Sequence, residues 1–100
     1  MFKAILLRER KGDIEEILIN ETDIYKYLGG TATFIGAYPD YNIVTMACRE
    51  SIFKLTVNQN KLPPPMEAEV VAGPILLTKM EPEDFTMADW ESMLSSLTQP

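Results

Sequence analysis

Phe2-Lys3-Ala4-Ile5-Leu6-Leu7 is the stretch whose reading decides the fold. Lys3 is its only polar member, so alternate residues are apolar in both directions. A strand of that kind is covered on both sides and belongs at the centre of a sheet. Arg10-Lys11-Gly12-Asp13 follows as a turn, with Gly12 available for positive φ. Asp13-Ile14-Glu15-Glu16-Ile17-Leu18-Ile19 then predicts a strand that pairs back on the first as a hairpin. Ile14, Glu16 and Leu18 oppose Glu15, Ile17 and Ile19, an imperfect alternation that suits an edge or half-exposed strand.

Further along, Asn20 is placed to cap a short helix, with Asp23 in its first turn. Ile24, Tyr27 and Leu28 share one face, and Gly29-Gly30 ends the helix. Glycines that follow a helix cannot form the phosphate-binding loop that glycines before one can, so this pair reads as a stop. Thr31 to Ala37 and Ile43 to Cys48 are rich in β-formers, and Tyr38-Pro39-Asp40-Tyr41-Asn42 between them is turn chemistry. A second hairpin is expected there. Arg49-Glu50-Ser51 breaks the pattern, and Ile52 to Val57 predicts another strand. Leu62-Pro63-Pro64-Pro65 reads as a stiff polyproline-like connector without PxxP spacing. Glu67 to Thr78 reads as a strand interrupted at Gly73-Pro74.

The last element has the clearest signature. Thr86-Met87-Ala88-Asp89 has the form of a capping box, with Asp89 replacing the usual Glu. Met87, Trp90, Met93, Leu94 and Leu97 recur at helical spacing as an apolar stripe. Read as core, the stripe seats the helix on the sheet; with six methionines in the chain, an adaptable homodimer surface is also compatible. The expectation is one α+β domain over residues 1–100. It has a small, mostly antiparallel sheet of five to six strands and two helices, the second C-terminal, packed on one face or one end.

Composition then restricts the chemistry. The 100 residues carry no histidine, which removes the imidazole base and the His-ligated metal site. Cys48 is the single cysteine, lies in an apolar run and reads as a small buried hydrophobe. No serine sits in a GxSxG elbow. The start lacks a signal-peptide pattern, and no run reaches the ~18 apolar residues of a membrane helix. The expectation is a cytoplasmic protein of a host cell, with no membrane partner. The net charge of −6 is uneven. Residues 1–61 balance eight basic against eight acidic side chains, whereas residues 62–100 set seven acidic ones against Lys79 alone. An acidic chain without a dense basic cluster disfavours direct nucleic-acid binding.

Five short motifs stand in a recognisable order over residues 24–93: Gly29-Gly30, Cys48-Arg49-Glu50, Asn58-Gln59, Ala72-Gly73 and Glu83-Asp84-Phe85. In that order the chain resembles a family of short phage and mobile-element proteins known as domain of unknown function 3846. Arg49 stands where that family often has asparagine, and Gln59 where an arginine commonly follows. The resemblance implies an accessory protein of a phage or mobile element and brings no reaction with it.

Two function classes follow. In the first, the protein is not an enzyme, needs no cofactor or metal, and inhibits a host protein by occupying its surface. A defence or nucleic-acid-processing enzyme is the concrete partner. The contacts would be the acidic residues Glu81, Glu83, Asp84, Asp89 and Glu91, with Tyr38 and Tyr41 as an aromatic hairpin tip. Carboxylates near a helix N-terminus also stabilise it by about 0.3–1 kcal/mol each, so part of this acidity is explained locally. In the second, the chain sequesters a small molecule or nucleotide signal, in an oligomer if subunits share the site, through Arg49, Asn58 and Gln59.

Overall fold

The first hairpin forms, and the sheet grows outward from it. A computed structural model describes residues 1–49 and 56–98. β1 (Phe2–Leu7) pairs antiparallel with β2 (Ile14–Ile19) across a turn in which Gly12 has φ 85°. A one-turn 3-10 segment and the short helix α1 (Ile24–Leu28) follow. Gly29 closes α1 in the left-handed conformation at φ 81°, where a side chain would be strained. Asn20 makes no side-chain cap, whereas Asp23 lies in the first turn of the 3-10 segment. Ile24, Tyr27 and Leu28 share the packed face, and the C-terminal stop operates as expected.

β3 (Ala32–Tyr38) and β4 (Ile43–Cys48) make the second hairpin through a 3-10 turn ended by Asn42 at φ 61°. β5 (Ile75–Lys79) precedes α2 (Met87–Thr98). Among the described residues the five strands form one antiparallel sheet in the order β2-β1-β5-β4-β3. β2 is therefore an edge, as its imperfect alternation predicts, and β1 lies inside the sheet. The fold is α+β.

Side-chain parity along the strands divides the core in two. Ile5, Leu7, Ile43, Ile75 and Leu77 point to one face and pack with Phe85, Trp90 and Met93. Ala4, Leu6, Ile17, Ile19 and Leu76 point to the other and pack with Leu28, Ile24 and Tyr27 of α1. The helices thus lie on opposite faces, not on one face or one end. The two-sided apolarity of β1 requires this arrangement, because either face left bare would expose its side chains to water.

The capping box at α2 is made as the sequence implies. The Asp89 amide donates to Thr86 Oγ1 at 3.2 Å and the Thr86 amide donates to Asp89 Oδ2 at 3.1 Å. Glu16 Oε1 on β2 accepts the Met87 amide at 2.8 Å, which ties the helix start to the sheet edge. The whole expected stripe of Met87, Trp90, Met93, Leu94 and Leu97 joins the core on that face.

Two expectations are corrected. The proline run is not an extended connector. It turns back on itself, with a cis bond at Pro64–Pro65 and the Met66 amide donating to Pro63 O at 3.1 Å. Leu62 and Met66 are thereby buried in the core under α2. The strand expected from Glu67 to Thr78 begins only at Ile75. Upstream, Val57 and Ala72 form an isolated bridge, and Gly73 takes φ 81°, which breaks the ladder where Pro74 could not donate to it. Of the strand expected from Ile52 to Val57, residues 52–55 lie outside the described residues.

Candidate functional site

The α1 side of the sheet carries more apolar surface than the helix covers. Five strands spaced by about 4.8 Å span roughly twice the ~10 Å width of one helix. α1 has only five residues. Its apolar side chains pack with Ala4, Leu6, Ile17, Ile19, Cys48 and Leu76, and its backbone approaches β3 and β4, so it covers only part of this face. On the β3–β4 half Phe34 is 64% exposed, paired across the strands with the half-buried Met46. Ala37 and Val44 form the next pair on this face. Met80, just past β5, is 47% exposed.

This open face deepens into a depression of about 330 Å³ beside the start of α1. Phe2, Ile24, Val44, Met46 and Met80 supply its apolar lining, and Glu21, Glu81 and Pro82 stand around it. A second depression of about 330 Å³ shares Phe2, Glu21 and Pro82 and continues past Asn20 and Thr22. The two make one groove.

Its carboxylates are free of counter-ions. Among the described residues the ion pairs join Lys3 to Glu16, Arg8 to Asp13 and Glu15, and Lys26 to Asp23. Glu21 and Glu81 have none. Lys79 also borders the depression, but its ammonium is turned to the opposite face, 3.4 Å from Tyr41 O and 5.9 Å from the Phe85 ring centre.

Glu81 is the one acidic candidate from the sequence that lines this groove. Asp84 Oδ1 accepts the Lys3 amide at 2.8 Å. Asp89 is occupied by the capping box, whose hydrogen bonds from Thr86 hold its carboxyl below the usual range. Glu83 and Glu91 are exposed, with Glu91 on α2 over the other face of the sheet. The five do not form one array.

The expected aromatic tip is also absent. Tyr38 is 2% exposed, and its hydroxyl donates to Pro63 O at 2.6 Å. Burial pushes that phenol well above its ordinary value, with Glu67 adding a smaller effect. Tyr41 packs against the α2 core and donates to Ser96 Oγ at 2.8 Å. A tyrosine beginning a turn faces inward when its strand partner, here Ile43, belongs to the core.

The ligand candidates separate in the same way. Asn58 Nδ2 donates to Leu7 O and Gly73 O, both at 2.9 Å, and its Oδ1 accepts the Asn60 amide at 2.8 Å. Asn60 in turn holds Arg8 O, Arg10 O and the Gly12 amide. This is a clamp on the first hairpin. Gln59 is exposed, and its side-chain amide reaches Val57 O at 3.4 Å. Arg49 lines a separate cavity of about 570 Å³ with Thr33, Ile35, Val57, Glu69 and Val70, which neither Asn58 nor Gln59 reaches.

Residues 5–93 match the model of a family of unknown function, DUF5880. The chain belongs to this family. The resemblance to domain of unknown function 3846 is thereby corrected, since DUF5880 is a different family. The motifs that suggested it have local explanations: Gly29 caps a helix, Asn58 clamps a hairpin, Gly73 breaks a strand and Phe85 anchors the core. No curated protein and no solved structure matches this DUF5880 chain. Among its described residues no helix is long and apolar enough to cross a membrane, and no group of three or more acidic or cysteine side chains could hold a metal.

Sequence reasoning missed Phe34, Val44, Met46, Met80 and Glu21. The signal was present in Ile43-Val44-Thr45-Met46-Ala47-Cys48, which is apolar on both faces, set against a helix too short to cover one of them.

Proposed function

We propose that this DUF5880 chain is a non-enzymatic binding module that docks a protein partner on the open face of β3, β4 and β5. The observation that carries this reading is Phe34, a large side chain left outside the chain's own core beside half-buried Val44 and Met46. Exposed apolar patches rimmed by polar groups mark interaction sites. The unpaired Glu21 and Glu81 at the rim favour a partner that mixes apolar with basic side chains. Rim charge of this kind chiefly speeds association and is weakened by salt. Inhibition of a host defence enzyme drew on small size, acidity and the mobile-element resemblance; with the resemblance corrected, the partner is proposed only as a protein.

The test is selection from a random peptide library on the intact protein, with counter-selection on Phe34→Glu. The expected result is a set of peptides combining Lys or Arg with apolar residues, whose affinity falls at least tenfold on the variant. Selected peptides that bind both proteins equally, or that are acidic, overturn the proposal.

The Arg49 cavity favours a second reading as a small-molecule site. Its size suits a ligand, and apolar walls beside a guanidinium fit an apolar anion. Thermal shifts with fatty acids and nucleotides on wild type and Arg49→Gln test it. A ligand at 100-fold over its Kd is expected to stabilise by about 2.7 kcal/mol. Equal responses of the two proteins would overturn it.

A further inference from the structure

The groove beside Pro82 has the chemistry of a long cationic side chain. We infer that it is a specificity pocket for one lysine or arginine of the docked partner, an inference that rests on the open face being a docking surface.

The floor of the depression sets the first requirement on its occupant. Phe2, Ile24 and Met46 present apolar atoms along the depression, and Glu21 and Glu81 both border it. A neutral aliphatic side chain would satisfy the floor and leave the carboxylates unpartnered. A small cation would meet the carboxylates and leave the floor wet. Lysine and arginine do both, because their methylene stems pack on apolar surface while the charged head stays at its edge. Hydrogen bonds from such a head to a carboxylate are charge-assisted and stronger than neutral ones.

Among the described residues Glu21 and Glu81 have no ion pair, a state they share with Glu83, Glu91 and other exposed carboxylates; what sets these two apart is that both border the apolar depression. Glu21 sits in the turn before α1, and Glu81 follows β5. Two segments far apart in sequence therefore bring unpaired carboxylates to one apolar depression.

A second copy of this chain fits poorly. A two-fold contact is self-complementary, so it would set this acidic rim against itself. With a net charge of −6, that repulsion adds to the general one.

The experiment has two arms and includes E21Q/E81Q, which removes both charges at exposed positions and keeps the side-chain shapes. In the first arm, two-dimensional amide NMR follows titration with Nα-acetyl-lysine methylamide and with its norleucine isostere. The lysine probe is expected to shift the amides of Glu21, Met46 and Glu81, with those of α2 unmoved. The isostere is expected to shift them less, and E21Q/E81Q to abolish the difference. Equal shifts from both probes, or no change in E21Q/E81Q, overturn the pocket.

In the second arm, a library-selected peptide has each Lys replaced by norleucine. One replacement is expected to cost roughly tenfold on wild type and under twofold on E21Q/E81Q. If the peptide depends on Phe34 but no replacement matters, the pocket fails while the docking surface stands. If no peptide depends on Phe34, the docking surface fails and the first arm alone decides the pocket. Sedimentation that shows self-association abolished by E21Q/E81Q would make a second copy the occupant and overturn the inference.

Discussion

Asn58 offers the sharpest test of how this fold is held, because two roles for it give opposite results. As a ligand contact it could be changed with little effect on stability. The structure instead makes it a clamp between the end of β1 and the residue that breaks the chain before β5. Its amide donates to Leu7 O and Gly73 O at 2.9 Å, both on buried residues, and its oxygen accepts from Asn60. At about 0.5–1.5 kcal/mol per bond, Asn58→Ala is expected to cost roughly 2–4 kcal/mol, with unpaired buried carbonyls placing it near the top of that range. On a domain of this length such a loss lowers Tm by roughly 10–25 °C. Asn58→Asp is expected to be worse at neutral pH, because an ionised carboxylate cannot donate and faces two carbonyl oxygens. Those neighbours raise the native pKa of the introduced acid above the unfolded value of about 3.9. Between the two values the native state holds the extra proton, so stability falls as pH rises through that window and returns as pH falls. Urea unfolding, followed by the fluorescence of the single buried Trp90, measures both variants from pH 7 to pH 4. If Asn58→Asp stays within about 0.5 kcal/mol of wild type, or its deficit against Asn58→Ala ignores pH, the clamp is refuted.

Three further outcomes follow from the geometry. Thr86→Ala removes one half of the capping box and is expected to cost about 1 kcal/mol in urea unfolding. Asp89 is held below its ordinary pKa, so its contribution is full above the unfolded value near 3.9 and fades as pH falls through the lower native one; the cost of Thr86→Ala is expected to shrink in that range. Gly36→Ala places a methyl group 2.6 Å from Met66 Sδ and against its Cε, an overpacking worth about 1–3 kcal/mol by thermal unfolding. Adding Met66→Ala is expected to cost less than the two changes summed, because the second removes the atoms the first strikes. Tyr38→Phe deletes the buried bond to Pro63 O and is expected to lose about 1 kcal/mol by the same measurement, leaving peptide binding at the open face intact.

What the sequence made legible was local. Gly12, Gly29 and Asn42 sit where turns need positive φ, so hairpins and helix stop appear near their expected places. Thr86 and Asp89 satisfy orphan amides within one turn, which needs no tertiary information. Apart from the cap that Asn20 does not make, the main failures are tertiary. Leu62 and Pro63 read as linker, yet the fold buries Leu62 in the core and sets Pro63 O against the Tyr38 hydroxyl. Which face each helix takes depends on the parity of β1 and β5 together, and the strand expected from Glu67 hid where that parity begins. The candidate site was hardly legible. Acidic residues are conspicuous in a list, but Asp84 and Asp89 are bound to backbone amides, whereas Glu81 matters through neighbours from β4 and α1.

The open face cannot be explained by the stability of the chain alone. β3 is an edge strand, and its register shift between Phe34 and Gly36 is the kind of irregularity that protects an edge from pairing with another sheet. A polar residue at position 34 would serve that protection better than phenylalanine and would remove little from the core, since Phe34 is mostly in water. Phe34→Glu is accordingly expected to leave urea unfolding within about 0.5 kcal/mol of wild type. With that result, a large apolar side chain that folding does not need, beside carboxylates that no cation among the described residues neutralises, is accounted for by something that covers it. If Phe34→Glu instead costs as much as a core substitution, Phe34 belongs to the fold, and the case for a docking surface reduces to the groove beside Pro82.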